Sequence, residues 1–433
     1  MIKTFSPLLL LLFTTPHSVF SQTQLTYLGN SNFAGVHIYQ DSVTKYFTIV
    51  AGSNELKPNP TFIYQLDSSA HLLSAKKLDP QGRNITSSAA SNQQQTVLAR
   101  TVENTTGQVT ANLVSLDRKS QVQWSIILES YNMTFVNALR LGKSGSVFIA
   151  GNGITSPPRA KNYSFLGKIS SYGERVWDLT DFTKGDTVAF RRLAVDNQDT
   201  TYGLGKVDKK ALLSKIDPRG DVAWQQSVWF RGETRLYAIA VDRGFVYVLG
   251  ADEVSFSREG QVFVSKINTA GKEVWTMLIN SPSRFLPDDA CLEMTPQGDL
   301  VLAIGSIGAD RQRAWVTIQM DAAGGILQAA QYQRAGFATF PRDLVYGKNA
   351  NFVGTGALET LPATAEYPFF FRSTTADLLA GKSGFSPFTC SQKSIHLELL
   401  PAHIDFVNQV MINTVDFPLE ARDNASTVNE VKE

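Results

Sequence analysis

The chain has 433 residues, with 40 Lys and Arg residues against 39 Asp and Glu residues and a net formal charge of +1. This balance argues against binding to nucleic acid or to an anionic membrane surface, because both select strongly basic proteins. Only two cysteines are present, so a lattice of disulfides does not hold the fold together.

The N-terminal segment 1–21 has the features of a secretory signal peptide. It contains Lys3, an apolar run, and the small residues Val19 and Ser21 ahead of a cleavage position. The apolar run is far shorter than the roughly 20 residues that a membrane-spanning helix needs. We therefore predict cleavage before Gln22 and a secreted, periplasmic or envelope protein without a transmembrane segment.

The rest of the chain repeats one phrase in which a turn glycine is followed four residues later by tryptophan. The clearest copies are GKISSYGERVW (167–177), SKIDPRGDVAW (214–224) and SKINTAGKEVW (265–275). Degenerate copies end at residues 74, 124 and 328, so the period is about 50 residues. Apolar runs that end in a small residue, such as FVYVLG (245–250), lie between the copies. Each unit therefore reads as four short β-strands joined by turns.

This period predicts an all-β fold, a β-propeller formed by a single domain over residues 22–420. Seven hairpins are visible, the last and most degenerate being FFRSTTADLLAG (370–381). Beyond it, residues 394–401 and 405–417 read as two strands of another unit, which residues 22–29 could complete. Between seven and eight four-stranded blades we favour eight, closed by strands from both termini, because closure removes exposed sheet edges. Residues 421–433 are predicted to be a disordered tail.

The repeated glycine and tryptophan have structural interpretations. Gly220 permits a tight turn with positive φ, which glycine adopts without a steric penalty. A tryptophan on the outer strand then fills the wedge between neighbouring blades. We predict this structural role for four residues: Trp124, Trp177, Trp224 and Trp275.

The units resemble the β-propeller repeat family of exported bacterial proteins, whose consensus places a turn Asp and Gly before Trp. They are more distantly similar to the tryptophan-docking repeats of quinoprotein-like propellers. The first resemblance covers most of residues 31–418 and implies the fold. It implies no activity, since that family is defined by its blades.

Links between units, and between the second and third strands of a unit, are longer than the other turns and emerge on the same face. Phenylalanine and arginine recur in the links between units. One interpretation is a binding site for a protein or carbohydrate, because loops on a rigid scaffold carry function. Its predicted residues are Arg191, Arg192, Arg235, Tyr237, Phe285 and Arg342. The favoured alternative is that phenylalanines plug the ring while arginines pair with Asp288, Asp289 and Asp343.

No sequence pattern predicts a metal or cofactor site. The spacing of His396, Glu398, His403 and Asp405 matches no standard metal motif, and we interpret these residues as surface. Asp196 and Asp199 lack the run of alternating oxygen ligands of a calcium loop.

Cys291 is predicted to be a buried, inert thiol on an innermost strand, in register with Ala138 and Ala238. A single bridge between Cys291 and Cys390 is possible in an exported protein.

These observations predict an exported, non-catalytic, monomeric propeller that binds a protein or carbohydrate. No catalytic residue and no cofactor is identified. The alternative is an enzyme with its site at the central channel, either a quinone-cofactor dehydrogenase by analogy or a hydrolase or lyase. The resemblance to tryptophan-docking enzymes would require adjacent cysteines in many cases, whereas Cys291 and Cys390 are far apart.

Overall fold

The structure of the protein is a computed structural model. It describes residues 24–28, 34–41, 44–52, 60–68, 71–78, 83–103, 107–129, 133–155, 161–181, 190–207, 210–230, 232–252, 261–308, 310–333, 337–347, 351–360, 366–374, 385–402, 413–416, 421–423 and 428–431. The predicted signal peptide, 1–21, lies outside these residues.

Every regular element in the described ranges is a β-strand, and the strands form consecutive four-stranded antiparallel units. Unit 1 comprises Ala34–Gln40, Phe47–Gly52, Thr61–Leu66 and Leu72–Leu78. Unit 2 comprises Arg83–Ser91, Gln95–Glu103, Val109–Asp117 and Val122–Glu129. Unit 3 comprises Met133–Leu141, Val147–Ile154, Asn162–Ile169 and Arg175–Asp181. One parallel bridge between Met133 and Val109 joins units 2 and 3 into one sheet.

The next three units repeat this order. Unit 4 comprises Arg192–Val195, Thr201–Val207, Lys210–Ile216 and Val222–Trp229. Unit 5 comprises Thr234–Asp242, Phe245–Asp252, Gln261–Asn268 and Glu273–Asn280. Unit 6 comprises Arg284–Met294, Leu300–Ile307, Arg313–Met320 and Ile326–Tyr332.

Unit 7 takes its fourth strand from the other end of the chain. Its first three strands are Phe337–Gly347, Asn351–Thr360 and Glu366–Thr374. The N-terminal strand Gln24–Leu28 then pairs antiparallel with the third of these. Residues 370–372 of the last predicted hairpin thus pair with the N-terminal strand, and its residues 375–381 lie outside the described residues.

Six short strands near the C-terminus add a fifth strand to the outer edges of six units. We call them the C-terminal belt. The belt runs backwards past units 6, 5, 4, 2, 1 and 7 as Phe385–Pro387, Ser391–Ile395, Glu398–Pro401, Asn413–Asp416, Ala421–Asp423 and Val428–Val431.

The belt corrects two predictions. The segments 394–401 and 405–417 do not begin an eighth unit, because their described strands pair with the outer edges of units 5, 4 and 2. Part of the tail predicted to be disordered forms Ala421–Asp423 and Val428–Val431. Both corrections have one cause. An unpaired sheet edge offers backbone hydrogen-bond partners to any β-compatible segment within reach. The local sequence pattern of such a segment does not predict which edge it will pair with.

Neighbouring units face each other in chain order. The first strand of each unit contacts the first strand of the next, and the first strand of unit 7 contacts that of unit 1. Buried apolar clusters fill the spaces between sheets. Between units 1 and 7, the rings of Phe47 and Phe370 lie 5.3 Å apart. These repeated, face-to-face sheets are those of a β-propeller.

The repeated tryptophans connect each unit to the next one. The Trp177 indole Nε1 donates to the carbonyl oxygen of Pro218 at 3.2 Å. The same bond joins Trp124 to Ser171, Trp224 to Thr269 and Trp275 to Ala322, at 2.8, 3.0 and 3.1 Å. In each case the acceptor lies two residues before the turn glycine of the following unit. The tryptophans therefore pack in the wedges between units.

The turn glycine accommodates that tryptophan. Gly220 has φ of 99°, and a Cβ atom placed on it would lie 2.9 Å from Cγ of Trp177. The turn itself is held by Asp217, whose Oδ1 accepts hydrogen bonds from the backbone N–H groups of Arg219 and Asp221. Although partial desolvation opposes them, these bonds lower the pKa of Asp217. The turn Asp, the glycine and the tryptophan are thus parts of one contact between units.

Candidate functional site

A central cavity of about 480 Å³ is lined by the first strands of all seven units. Its wall includes Ser88 from unit 2, Ala238 from unit 5 and Leu344 from unit 7. We call this cavity the channel. Because consecutive strands alternate in direction, the strand ends that the long links join lie around one end of it, which we call the mouth.

A β-bulge recurs near the mouth end of the first strands. The strand register shifts at Asn137 in unit 3, Tyr237 in unit 5 and Arg342 in unit 7. In unit 4, Arg191 and Arg192 both lie opposite Leu204. A bulge re-aims its side chain relative to the regular alternation of a strand. Polar residues are thereby presented at the mouth without interrupting the apolar pattern behind them.

A second cavity of about 330 Å³, the mouth pocket, lies between the mouth ends of units 4 and 5 and reaches units 6 and 7. It shares Arg192 and Arg342 with the channel. Its lining residues are Arg191, Arg192, Leu204, Gly205, Lys206, Thr234, Arg235, Leu236, Tyr237, Asp288 and Arg342.

Hydrogen bonds hold two of the cationic side chains in place. Arg192 donates from Nη2 to the backbone oxygen of Asp288 at 3.0 Å and from Nη1 to that of Arg191 at 3.1 Å. Lys206 forms an ion pair with Glu233. These two bonds of Arg192 use backbone acceptors, and the one to Asp288 reaches from unit 4 to unit 6.

The mouth pocket brings together five of the six residues predicted for binding: Arg191, Arg192, Arg235, Tyr237 and Arg342. The sixth, Phe285, is fully buried, and its ring lies 6.0 Å from that of Phe388, which directly follows the belt strand Phe385–Pro387. Phe285 belongs to the core between units 5 and 6. The prediction that Phe285 belongs to the binding site is therefore wrong. A large apolar side chain next to the space between two sheets is buried in that space.

The alternative prediction is met in part. Phe190, Phe230 and Phe285 are buried, but they pack between units and not at the axis. The carboxylate of Asp343 accepts from Nδ1 of His37 at 2.6 Å and from the backbone N–H of Ile38 at 3.0 Å. Its described hydrogen-bond partners thus lie in unit 1 and unit 7 and include no arginine. The side chain of Asp289 is outside the described residues.

Inside the channel, Glu293 lies in a setting that disfavours its charge. Burial raises the pKa of Glu293 to about 8, and the nearby carboxylate of Asp343 adds to the shift, while Arg140 opposes it. Glu293 is therefore protonated at neutral pH. It was not identified from the sequence, because its neighbours come from units 3 and 7.

Cys291 also lines the channel, and its position differs by one residue from the prediction. It pairs with Ala303, whereas Ala138 pairs with Ala150 and Ala238 with Leu249, one step nearer the mouth. The shift arises from the larger irregularity between Leu286 and Cys291. Burial, then Asp343 and Glu293, raise the pKa of the thiol well above its ordinary value, so the thiolate is disfavoured.

The remaining candidate residues have structural roles. Asp196 accepts backbone N–H bonds in a turn, and Asp199 pairs with Lys168 at 3.0 Å. His396 and Glu398 are exposed, while His403 and Asp405 lie outside the described residues.

The described residues contain no cluster of three His, Cys, Asp or Glu side chains suited to a metal ion. Cys291 and Cys390 are both free thiols. None of the described segments is a helix with the length and apolar character to cross a membrane.

Two charged residues that line the mouth pocket, Lys206 and Asp288, were missed as binding residues. Lys206 follows the second strand's apolar run and so emerges on the mouth side, a signal that the sequence does contain. Asp288 was considered only as an ion-pair partner for arginine. Its place in the pocket depends on the irregular first strand of unit 6, which has no local sequence signature.

No protein-family model matches this chain, and no curated protein matches its sequence. Among solved structures it is similar to the WD40 domain of Toxoplasma gondii coronin, with 13% identity, coverage of 81% of this chain and 86% of that one, and a TM-score of 0.43.

It is also similar to a protein from Lactobacillus plantarum, with 11% identity, 79% and 94% coverage and a TM-score of 0.43. A prolyl endopeptidase gives 10% identity, 81% and 51% coverage and a TM-score of 0.48. At these values the similarities assign no activity and no ligand. The resemblances to the exported repeat family and to tryptophan-docking propellers stay predictions.

Proposed function

We propose that the chain forms a seven-bladed β-propeller, closed by the N-terminal strand Gln24–Leu28. Three observations support it: the order of contacts among first strands, the apolar cluster shared by units 1 and 7, and the channel lined by all seven units. A ring closed by a strand from the opposite terminus leaves no unit incomplete. The proposal replaces the eight blades favoured from the sequence.

We propose that this propeller is an exported, monomeric, non-catalytic binding protein that takes a protein or glycan ligand at the mouth. The observation that carries this is the mouth pocket, in which bulged and adjacent residues of four units converge on one concavity. Concave sites with a few convergent polar groups and an apolar wall are the common form of ligand sites. Arginine and tyrosine are also the residues enriched where proteins bind partners.

The binding role is tested with the chain lacking residues 1–21, immobilised for capture from the producing organism's extracellular fraction and applied to a glycan array. We expect a reproducible ligand whose retention falls when Arg191 and Arg235 are both replaced by Gln. The control is Arg219→Gln, an arginine that is 82% exposed in a turn at the opposite end of unit 4. A reproducible absence of binding in both the capture experiment and the glycan array, together with turnover of a substrate, would contradict the proposal.

Export is tested by mass spectrometry of the protein recovered outside the producing cells. We expect an N-terminus at Gln22, because the residues before it form a cleavage signal. An intact N-terminal segment in that fraction would contradict this part of the proposal.

A second candidate, an enzyme at the channel, has one specific observation in its favour. Protonated Glu293 lines the channel, which is also lined by the His37–Asp343 pair, and a neutral carboxyl group is a competent general acid. Screening hydrolase and lyase substrates with the wild type and Glu293→Gln tests it. Turnover that Glu293→Gln abolishes, with mouth binding retained, would favour the enzyme.

A further inference from the structure

We infer that the outer edge of unit 3, the strand Arg175–Asp181, pairs with a seventh belt strand that the same chain supplies from residues 403–412. This segment lies outside the described residues. The inference goes beyond the proposed function, because it concerns an interaction surface on the outside of the propeller. Four observations carry it: the order of the belt, the spacing and register of its strands, the burial of this edge and the position of Ala402.

The belt pairs with the outer edges in a fixed order that has one gap. Its described strands follow units 6, 5, 4, 2, 1 and 7, and each is antiparallel to the outermost strand of the unit itself. Unit 3 lies between units 4 and 2, so the chain passes it between Pro401 and Asn413. Among the described strands, Arg175–Asp181 pairs with Asn162–Ile169 alone and ends its sheet. Unit 3 is therefore the one unit whose outer edge has no described partner.

The spacing of the belt strands indicates that the chain does not merely bypass unit 3. The strands begin at residues 385, 391, 398, 413, 421 and 428. Steps from one unit to the next are 6, 7, 8 and 7 residues, whereas the step from unit 4 to unit 2 is 15 residues. That step equals two ordinary ones. It therefore provides a strand for the intervening unit, beginning at residue 405 or 406.

The register of the belt is the same on all six units. The first residue of each belt strand pairs with the last residue of the strand that it covers: Phe385 with Tyr332, Ser391 with Asn280, Glu398 with Trp229, Asn413 with Glu129, Ala421 with Leu78 and Val428 with Leu28. On unit 3 this register places residue 405 or 406 opposite Asp181. Two carboxylates directly opposite each other repel. Phe406 is therefore a better partner for Asp181 than Asp405, and Val407 then lies opposite Thr180.

The outer edge of unit 3 is buried, as a paired edge would be. From Trp177 to Asp181 each residue is at most 8% exposed, and Thr180 is fully buried. Backbone N–H and C=O groups on the outer side of an edge strand point away from its sheet, and such groups need partners when they are buried. In unit 4, whose edge carries a belt strand, Gln226 and Ser227 are only half-buried. A segment outside the described ranges therefore covers the edge of unit 3.

Ala402 shows where the chain turns after the belt strand of unit 4. Its backbone N–H donates to the carbonyl oxygen of Gln225 at 3.0 Å, and its side chain packs against the apolar cluster between units 3 and 4, which includes Trp177 and Leu179. Leu397 occupies the corresponding place between units 4 and 5, directly before the belt strand on unit 4. The position of Ala402 therefore directs the following residues onto unit 3.

A strand from a second copy of the protein is the competing occupant, because exposed edges invite pairing between molecules. Residues 403–412 are tethered on both sides, by belt strands on units 4 and 2. A tethered segment reaches its site at an effective concentration in the millimolar range, well above that of a free partner. The segment of the same chain is therefore favoured.

Disulfide trapping tests the pairing in the chain that lacks residues 1–21. Cysteines are introduced as Thr180→Cys together with Val407→Cys. Residues directly opposite each other in antiparallel strands have Cα atoms about 4.5–5.5 Å apart, a distance that a disulfide spans. On mild oxidation we expect loss of both introduced free thiols and, by mass spectrometry, a disulfide between the two peptides within one molecule. A second pair, Thr180→Cys with Phe406→Cys, covers the register shifted by one residue.

Two further pairs of substitutions serve as controls. Ser227→Cys with Leu400→Cys joins residues that lie opposite each other in unit 4, so this pair should link. Thr180→Cys with Leu400→Cys combines the edge of unit 3 with the belt strand of unit 4 and should keep its free thiols. Peptide mapping separates these links from the native thiols of Cys291 and Cys390. Thermal denaturation verifies that each variant is folded.

Hydrogen–deuterium exchange provides a measurement that needs no introduced cysteine. In the wild type, the amides of Arg175–Asp181 should exchange as slowly as those of Glu273–Asn280, the paired outer strand of unit 5. Replacing residues 404–411 by the same number of Gly and Ser residues should cause loss of protection in Arg175–Asp181 and leave that of Glu273–Asn280 unchanged.

The two measurements give decisive outcomes. A disulfide from position 180 to position 407 or 406 within one molecule would support the inference. Free thiols in both of these pairs, in folded proteins and with the unit 4 pair linked, would overturn it. A disulfide that joins two molecules would assign the edge to a second copy and also overturn it. Fast exchange of Arg175–Asp181 in the wild type would overturn it whatever the variants show.

Discussion

Arg100 is a buried, charged residue in an apolar environment. It is 1% exposed between units 1 and 2, and none of its three guanidinium nitrogens has a hydrogen-bond partner among the described residues. Burial lowers the pKa of Arg100 to about 10, which leaves it charged at neutral pH. A charge taken out of water without a partner costs free energy that the rest of the fold must offset.

Replacing Arg100 with methionine should therefore stabilise the protein. We expect Arg100→Met to raise the free energy of unfolding by about 1–4 kcal/mol, since a long apolar side chain fills the space without the desolvated charge. Urea denaturation measures it, with Arg219→Met as the exposed control. A lower stability for Arg100→Met than for the wild type would contradict this expectation.

The turn glycine contacts the tryptophan of the preceding unit. Comparing Gly220 with Gly244 separates the effect of this contact from the effect of positive φ. Gly220 has positive φ and lies against Trp177. Gly244 also has positive φ, 81°, but a Cβ atom placed on it would come no closer than 3.8 Å to Cγ2 of Thr269. Alanine at either position meets a backbone penalty, because both glycines have positive φ. Only alanine at position 220 also meets the indole.

We expect Gly220→Ala to be less stable than Gly244→Ala by about 1–3 kcal/mol, the usual cost of overpacking. Chemical denaturation of both variants gives the difference. Equal losses would mean that the glycine is required for its backbone conformation alone, and that the indole contact is not tight.

At the scale of elements, the first strands combine two functions that ordinary strands keep apart. Their apolar residues pack between units, while the bulges present Asn137, Tyr237 and Arg342 at the mouth. Deeper along the channel, the same strands bring Glu293 near Asp343 and Arg140. The chemical character of the channel is therefore a property of strands that are distant in sequence and adjacent around the axis.

The raised pKa of Glu293 makes stability depend on pH in a defined direction. The unfolded carboxyl loses its proton near 4.5, whereas the folded one keeps it to about 8. The folded state thus binds more protons between these values, and stability falls as pH rises through this window. We expect the melting temperature of Glu293→Gln to exceed that of the wild type by an amount that grows from pH 5 to pH 8 and then levels off.

Differential scanning calorimetry across this pH range tests the expectation, with Glu398→Gln as the exposed control. A constant difference between Glu293→Gln and the wild type at all pH values would show that the channel carboxyl is ionised in the folded protein, contrary to the prediction.

At the scale of the whole molecule, the belt links six of the units by pairing with their outer edges. Its strands pair with outer edges from unit 6 back to unit 1 and then with unit 7, so one chain terminus spans most of the circumference. Leu397, 8% exposed, anchors it in the core shared by units 4 and 5. Covered edges cannot pair with other molecules, which protects a β-rich protein from association.

Removing the belt should therefore cause association. We expect a chain that ends at residue 384 to form oligomers on size-exclusion chromatography with light scattering, through its uncovered edges. In the full chain, Leu397→Ala should cost about 2–5 kcal/mol of unfolding free energy. Leu400→Ala, where the leucine is 39% exposed, should change it by less than about 0.5 kcal/mol. A shortened chain that stays monomeric would contradict this role.

The repeat, its four-strand content and the turn phrase were predictable from the sequence because each depends on residues close together in the chain. The alternation of apolar and polar residues, the positive φ at Gly220 and the period of about 50 residues are local features of this kind. Five of the eleven residues that line the mouth pocket could be anticipated for the same reason: the links between units lie at regular intervals, and their arginines are visible in the sequence.

Only the tertiary structure decided which edges the terminal strands complete, which residues the bulges turn toward the mouth, and that Phe285 is core. An edge, a register shift and a wedge between sheets exist only after distant segments have come together. Strand pairing uses backbone groups that every residue shares, so a strand's sequence carries its pattern of burial but not the identity of its partner.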